Sequence, residues 1–324
     1  MGQRIFGAML LFATLWPLGA YCDGSKAAVP GGAVASIQPL VGRWDLSLAA
    51  STGELPSWIE ISEVNGHIKV VMVGLTDHAT ELKKADFKEG EISFLSPKGE
   101  EGFPADTLFK GKLAGDQLVG ITAGPNSASW HWVGRRAPTL RRNGAPKWGS
   151  PVTLFDGKDL TGWRFREPNH RGNWAVEQGT LVNHGGGTDI ITVAKFQDFK
   201  LHLEFECAPM SNSGVYLRGR YEVQIETDSA EEPPSHHTGG VYGFLDPTPE
   251  LPRQADVWQT YDITLVGRTV TVVQNGQTVI DHKEIPGITG GALDSHEGLP
   301  GPICLQGSEK GRVAFRNIVI TPAE

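Results

Sequence analysis

The chain has 324 residues and a formal net charge of −8. This length predicts two domains with sizeable cores, and the charge excludes a broad electrostatic footprint for nucleic acid. The 41 glycines and 21 prolines, with few long apolar runs, indicate many turns and therefore β-structure. One basic cluster lies in a Pro/Gly-rich stretch typical of a solvated linker. It consists of Arg135, Arg136, Arg141, Arg142 and Lys147.

Residues 1–22 have the pattern of a secretory signal peptide. Arg4 precedes an apolar run from Ile5 to Ala20 that ends in small residues. The run is too short, and too often interrupted by Gly and Pro, for a membrane span. Cys22 raises the alternative of a lipoprotein anchor, but Tyr21 before it is bulkier than such sites accept. We therefore expect a secreted or periplasmic protein without a transmembrane segment, and a flexible lead-in over residues 23–37.

Residues 38–137 contain short strand-like segments at regular intervals. Turn signals separate them at Asn65-Gly66, Glu89-Gly90, Ala114-Gly115 and Gly124-Pro125. This spacing predicts an all-β meander, either a small antiparallel barrel or a sandwich. The opening Gly-Arg-Trp and the closing arginines loosely resemble small lipocalin-like barrels. No catalytic arrangement is evident in this segment, so we expect a structural or ligand-presenting role.

Residues 138–150 are rich in Pro, Gly and charge and are predicted to be a linker. Residues 151–324 contain about a dozen strand-like segments, with hairpin turns at Gln178-Gly179, Val266-Gly267 and Asn275-Gly276. The pattern predicts a two-sheet β-jelly roll, so the whole chain is expected to be all-β. Cys207 lies in phase with apolar neighbours, which favours a buried free thiol there and leaves pairing with Cys304 open.

Two short strands joined by a tight link are predicted between residues 211 and 228. Val215, Leu217, Tyr221, Val223 and Ile225 alternate with a second set, and alternate side chains of a strand point to opposite faces. The second set contains a phenol, a cation, two carboxylates and an amide. It consists of Tyr216, Arg218, Glu222, Gln224 and Glu226. This face is interpreted as a binding face, and the alternative is a solvated strand face with cross-strand ion pairs.

Eight motifs then occur in one order: FDGKDLTGW, FKLHLEFE, NSGVYLR, YEVQIETD, WQTYDIT, an Asn-Gly turn, GPICLQG and FRNI. This series resembles the 3-keto-disaccharide hydrolase domain family over residues 151–324, about half of the chain. The resemblance implies a concanavalin-like jelly roll, similar to family 16 glycoside hydrolases and legume lectins. It also implies cleavage of glycosides whose sugar carries a ketone at C3. Gln259 departs from the family pattern, in which Asn is common, and residues 38–137 lie outside the resemblance.

The implied chemistry needs a general base, because a ketone at C3 acidifies the hydrogen at C2. It also needs a cation or metal near the ketone oxygen and an acid for the leaving oxygen. Glu222 or Glu204 is the candidate base, and Arg218 is the candidate donor to the enolate or a sugar oxygen. His236 and His237 are candidates for holding a divalent cation or relaying a proton, and the alternative is a surface histidine pair.

Further candidates concern substrate binding, a second cation site and stacking on sugar rings. The substrate-binding candidates are His202, Tyr216, Gln224, Glu226, Asp228, Tyr242, Trp258 and Gln306. The alternative cation site consists of Asp294, His296 and Glu297. Trp163, Tyr242 and Trp258 either stack on sugars or belong to the core. Glu204 and Arg218 have the alternative of a plain cross-strand ion pair.

Three functions remain open from the sequence, all with an oligosaccharide or glycoside as the partner. A retaining glycoside hydrolase would use Glu222 and Glu226, but four residues of strand separate their Cα atoms by roughly 13 Å. Retaining carboxyl groups must approach to about 5–5.5 Å. A carbohydrate-binding module would need no chemistry. If five candidate side chains converged in one pocket and one of them had a shifted pKa, the enzyme would be favoured over the module. These candidates are His202, Glu204, Arg218, Glu222 and a loop histidine.

Overall fold

The computed structural model describes residues 36–324 apart from 52, 76–77, 100–104, 125–127, 143, 170–171, 228–231 and 309. The predicted signal peptide and most of the lead-in lie outside these described residues. Among its described residues, the first half contains a 3₁₀ helix, Gln38–Leu40, followed by nine strands. They are β1 (Gly42–Ala50), β2 (Gly53–Val64), β3 (His67–Val73), β4 (Thr80–Glu81), β5 (Ala85–Lys88), β6 (Glu91–Ser96), β7 (Thr107–Ala114), β8 (Gln117–Ala123) and β9 (Ser129–Arg136).

These nine strands form one antiparallel sheet in the order β4-β3-β2-β1-β9-β8-β7-β6-β5. The tight turns fall where the sequence predicts them, as at Asn65 (φ 52°) and Gly66 (φ 76°), which adopt the left-handed region. The sheet curls around one apolar core to which strands across its whole width contribute, including Trp44, Met72 and Phe94. The predicted meander is therefore confirmed as a curled, barrel-like sheet.

The second half contains thirteen strands and a 3₁₀ helix, Pro234–His236, among the described residues. The strands are β10 (Val152–Thr153), β11 (Trp163–Phe165), β12 (Trp174–Glu177), β13 (Thr180–Asn183), β14 (Ile190–Thr192), β15 (Phe199–Cys207), β16 (Asn212–Leu217), β17 (Tyr221–Glu226), β18 (Gln259–Val266), β19 (Thr269–Gln274), β20 (Gln277–Glu284), β21 (Cys304–Leu305) and β22 (Val313–Pro322).

The thirteen strands form two antiparallel sheets that pack face to face as a jelly-roll sandwich. The eight-stranded sheet has the order β12-β13-β22-β15-β18-β19-β20, with β10 paired to β22. The five-stranded sheet has the order β11-β14-β21-β16-β17. Leu203 and Phe205 of one sheet and Val215 and Val223 of the other lie in the shared core. Each such buried side chain contributes about 1.5–3 kcal/mol, so this core dominates the stability of the sandwich.

The nine-stranded sheet packs against the sandwich through apolar and polar contacts, and residues 35–324 form one compact unit. Trp58 belongs to the core of the sandwich and contacts Phe244 edge to face, with ring centroids 5.6 Å apart. Arg43 donates to Glu284 over 3.1 Å, and the Ser47 and Ser295 hydroxyls lie 3.0 Å apart. These contacts join β1 and β2 to β20 and to two loops of the sandwich.

Cys207 and Cys304 are both buried free thiols, which confirms the prediction for Cys207 and answers the open question of pairing. Cys207 faces the core, and Cys304 lies on the opposite face of the five-stranded sheet, next to Tyr216. Over the described residues, no helix is long and apolar enough to cross a bilayer.

Candidate active site

One face of the five-stranded sheet is lined by polar side chains that are nevertheless buried. Val215 and Val223 point into the sandwich core, so their neighbours Tyr216, Glu222 and Gln224 point to the opposite face. These three side chains are at most 3% exposed. The strand register places Tyr216 directly opposite Glu222. The predicted sharing of one face by these residues is therefore found in the structure.

Glu222 is the centre of this face. Its carboxyl group lies over Gly214 of the adjacent strand, where a Cβ atom would come within 2.1 Å of Oε1. Complete burial raises the pKa of Glu222 to about 8, the Tyr216 hydrogen bond opposes this rise, and the charge of Asp189 adds to it. A carboxyl group with such a pKa changes protonation close to neutral pH, as acid–base catalysis requires.

Tyr216 holds the carboxyl group of Glu222 in place. Its hydroxyl oxygen lies 2.9 Å from Glu222 Oε2 and 3.1 Å from the carbonyl oxygen of Gly290. Burial, and next the charge of Glu222, raise the pKa of Tyr216 well above its usual value, so the phenol remains protonated and donates. Thr289 accepts a hydrogen bond from the Glu222 backbone N–H, so residues 289–290 fix both partners.

Arg166 supplies a guanidinium group at the edge of this face. Its Nη1 donates to Asp189 Oδ2 over 3.0 Å and to the carbonyl oxygen of Gly291 over 2.8 Å. Asp189 also accepts a hydrogen bond from the Gly307 backbone N–H. Sequence reasoning missed Arg166 and Asp189, because they flank three-residue strands that are too short to show a period. The only available signal was the Gly-Gly-Gly-Thr run directly before Asp189.

The segment after the 3₁₀ helix adds Tyr242 beside Glu222. Val241 pairs with Val223 by an antiparallel bridge, and the Tyr242 N–H donates to the Glu222 carbonyl over 3.1 Å. The Tyr242 side chain therefore shares the face of Glu222. Its ring stacks on His236, with centroids 4.3 Å apart and planes 27° apart.

The two loop histidines each lie next to a carboxylate. His236 Nδ1 lies 2.7 Å from Glu232, and His237 Nδ1 lies 2.8 Å from Glu250. Within the described part of the chain, no group of three or more His, Cys, Asp or Glu side chains could hold a metal ion. The geometry of the described residues thus favours a positional or proton-relay role for His236 over a metal site.

Two amide side chains present oxygen atoms on this face. The Oε1 atoms of Gln224 and Gln306 are buried and have no hydrogen-bond partner among the described residues. The Gln306 N–H donates to Gly214, and Gly214 pairs with Gln224, so both amides flank the glycine under Glu222. Buried acceptors without a partner are unfavourable, and a ligand hydroxyl group would satisfy them. Glu226, the next residue on this face, lies 3.7 Å from Arg253.

Glu204 and His202 do not lie on the face of Glu222, which corrects the expectation that they converge with it. They project from the outer surface of the eight-stranded sheet, because Leu203 and Phe205 between them face the core. Glu204 Oε2 accepts hydrogen bonds from Arg316 over 2.7 Å. His202 Nδ1 lies 2.7 Å from Asp262 Oδ1. Both side chains therefore contact charged neighbours on the far side of the sandwich.

Arg218 also points away from the face of Glu222. Its backbone has a φ of 54°, so the alternation of β16 ends before it, and its side chain is fully buried. Arg218 Nη2 donates to the Tyr221 hydroxyl over 2.8 Å and to the Gly267 carbonyl over 2.9 Å. Tyr221 donates in turn to Glu297. Arg218 thus belongs to a structural network, and Arg166 supplies a guanidinium at the edge of the candidate face instead.

The remaining candidates are distributed over the molecule. Trp258 lies under the guanidinium of Arg316, 3.9 Å from its ring centroid, on the side of Glu204. Trp163 belongs to the core. Asp294 is paired with Arg220 over 2.6 Å, so the alternative cation site is occupied by an arginine. Asp228 lies outside the described residues.

Comparison with known proteins identifies a family for the second half of the chain. The sequence profile of the family described as the 3-keto-alpha-glucoside-1,2-lyase-like domain matches residues 150–321. A 3-keto-disaccharide hydrolase of Bacteroides thetaiotaomicron is 21% identical in an alignment 167 residues long that covers 40% of this chain and 58% of that protein. The chain thus spans less than two thirds of the length of this curated relative.

Two solved structures of candidate glycosyl hydrolases from Parabacteroides distasonis are also similar. One is 28% identical, covering 56% of this chain and 93% of the other, with a TM-score of 0.45. The second is 22% identical, covering 54% and 94%, with a TM-score of 0.46. The match of the family profile to more than half of the chain decides the assignment. The chain belongs to the family of 3-keto-alpha-glucoside-1,2-lyase-like domains.

Proposed function

We propose that this protein cleaves glycosidic bonds of 3-keto-glycosides by removing the hydrogen next to the ketone. The observation that supports this most is Glu222, a fully buried carboxyl group whose pKa is raised to about 8. It lies on a polar face with Tyr216 and Arg166, and the chain belongs to a family described by 3-keto-glucoside chemistry. A carboxylate with this pKa is a stronger base than an ordinary glutamate at the pH where it is ionised.

Glu222 acts first as the base and then as the acid in the proposed reaction. The ionised carboxylate takes the proton from C2, and the resulting enolate expels the glycosidic oxygen from C1. The newly protonated carboxyl group returns that proton to the leaving oxygen, which departs as an alcohol. Water then adds across the C1–C2 double bond and gives the free 3-keto sugar. Tyr216 keeps the carboxyl group oriented, and the charge of Arg166 favours the negative enolate on this face.

Two alternatives are less favoured by the geometry. A retaining hydrolase would need Glu222 and Glu226 to bring their carboxyl groups together, yet their Cα atoms lie roughly 13 Å apart along β17. Tyr216 contacts the first carboxyl group and Arg253 lies near the second. A carbohydrate-binding module would have no need for a buried carboxyl group with a strongly raised pKa.

The substrate class is tested by incubating the protein with 3-keto-trehalose, 3-keto-sucrose and their unoxidised parents. Chromatography follows the leaving sugar, with and without a chelator. We expect release from the keto-sugars only. Release from the unoxidised parents would instead support a retaining hydrolase, and glycan binding without any release would support a binding module. Loss of activity with chelator would place a divalent cation in the reaction.

Export to the periplasm or the medium is a separate part of the proposal. It depends on the signal-peptide pattern of residues 1–22. N-terminal sequencing of the protein secreted by its native cell tests this, and a first residue close to Cys22 is expected. An intact N-terminus in the cytoplasmic fraction would contradict it.

A further inference from the structure

Two residues that follow β3 of the nine-stranded sheet reach the candidate active site of the sandwich. The carbonyl oxygen of Leu75 accepts a hydrogen bond from the Gly291 N–H over 2.9 Å. His78 packs so closely on Gly243 that a Cβ atom at residue 243 would come within 2.6 Å of the His78 Cβ. Gly243 has a φ of 71°, so its backbone is shaped for this close approach.

His78 is linked to Glu222 through two ring contacts. The centroid of the His78 ring lies 4.8 Å from that of His236, in an edge-to-face arrangement. His236 stacks on Tyr242, and Tyr242 shares the sheet face of Glu222 on the adjoining segment. Such ring pairs add about 0.5–1.5 kcal/mol beyond the burial of their area.

Leu75 is connected to Glu222 through the segment that holds Tyr216. Its partner Gly291 directly follows Gly290, whose carbonyl oxygen accepts from Tyr216. A Cβ atom at Gly291 would come within 2.4 Å of the Tyr216 hydroxyl. The segment that follows β3 therefore contacts both segments next to Glu222, one through Leu75 and the other through His78.

We propose that the nine-stranded sheet completes the glycoside site of the sandwich, with His78 as a positioning residue. His78 fixes the His236–Tyr242 stack as one wall of the site, next to Glu222. This inference rests on the proposed cleavage of 3-keto-glycosides. It assigns the first half of the chain a part in substrate binding that the family resemblance, which begins near residue 150, does not cover.

The test compares His78→Ala and His78→Phe with wild type in the 3-keto-trehalose assay. His131→Ala is the matched control, because His131 is an exposed histidine on β9 of the same sheet. We expect His78→Ala to raise KM about tenfold while kcat changes little, since the wall binds substrate and Glu222 is held by other residues. His78→Phe keeps a ring in the contact and should restore most of the wild-type KM. Thermal unfolding of all variants is recorded in parallel.

Three other results would overturn the inference, and each can be told apart from the others. An unchanged KM in His78→Ala, with an active wild type, would show that the sheet has no part in binding and would leave the proposed function intact. A KM rise that His78→Phe shares fully, together with lowered melting temperatures, would reduce His78 to a structural residue. A wild-type protein that cleaves no 3-keto-glycoside would overturn the proposed function and this inference with it.

Discussion

The carboxyl group of Glu222 occupies the space that a side chain at Gly214 would fill, since a Cβ there would lie 2.1 Å from Oε1. Gly214 has no left-handed φ angle, so its glycine is required by space rather than by backbone conformation. The absence of one side chain on β16 thus defines the position of the proposed base on β17.

Gly214→Ala is expected to lower kcat/KM about 100-fold, because a shift of the base by about 1 Å has an effect of that size. The Glu222 side chain would have to leave the hydrogen bond from Tyr216 to make room. Steady-state kinetics on the 3-keto-glycosides measures this. Asn212→Ala, at the exposed first residue of the same strand, is the control. Wild-type activity in Gly214→Ala would contradict the position assigned to Glu222.

Tyr216→Phe is expected to move the pH–rate profile to higher pH. The Tyr216 hydrogen bond lowers the pKa of Glu222 against the effect of burial, so its removal raises that pKa above about 8. A base works in its ionised form, so kcat/KM in wild type should rise with pH until it levels off above about pH 8. In the variant, kcat/KM should level off at a higher pH. A pH–rate profile identical to that of wild type would show that the ionisation of Glu222 does not control the rate.

Glu204→Gln is expected to leave kcat/KM within about twofold of wild type, as for most surface positions away from the site. Glu204 lies on the outer surface of the eight-stranded sheet and is paired with Arg316. Removal of such a partly exposed pair changes the free energy of unfolding by about 1 kcal/mol or less. A large loss of activity at unchanged stability would show that the far side of the sandwich takes part in the reaction.

Asp45→Asn is expected to weaken the fall of stability with rising pH. Asp45 of β1 is buried beside Glu297; burial and then the charge of Glu297 raise the pKa of Asp45 to about 9 from 3.8. The folded state therefore holds a proton that the unfolded chain releases, and this contribution to stability is lost as the pH rises from 3.8 to about 9.

Urea unfolding at mildly acidic, neutral and mildly alkaline pH measures this dependence. Wild type should lose stability across the series, and Asp45→Asn should lose less, because the amide does not titrate. Glu222 also lowers the stability of both proteins as the pH rises from the usual pKa of a glutamate towards about 8. Equal pH dependence of the two proteins would show that Asp45 is ionised in the folded state at neutral pH.

Strand alternation was sufficient to predict the central part of the site. Val215, Val223 and Ile225 face the core as expected, and Tyr216, Glu222 and Gln224 face the other way. The two-residue period of side chains in a strand shows which face of the sheet each side chain is on. It carries no information on which of two sheets the strand joins, so Glu204 and His202 could not be separated from Glu222 by sequence.

The remaining errors and omissions come from backbone geometry and tertiary pairing. Arg218 leaves the alternation because its φ of 54° ends the strand, although a non-glycine residue rarely adopts that conformation. Tyr242 reaches Glu222 through a single isolated bridge. His78 comes from the segment between β3 and β4, more than 140 residues before Glu222 in the chain. None of these relationships has a local sequence signal.

The most direct measurement is the rate at which Glu222→Gln releases the leaving sugar from 3-keto-trehalose, beside wild type and Glu204→Gln. The glutamine has the shape of Glu222 and can still accept from Tyr216, but it cannot take a proton. A base of this kind contributes about 100-fold or more to the rate, so Glu222→Gln should lose at least that much while Glu204→Gln stays active. Wild-type release by Glu222→Gln would contradict the assignment of Glu222 as the base.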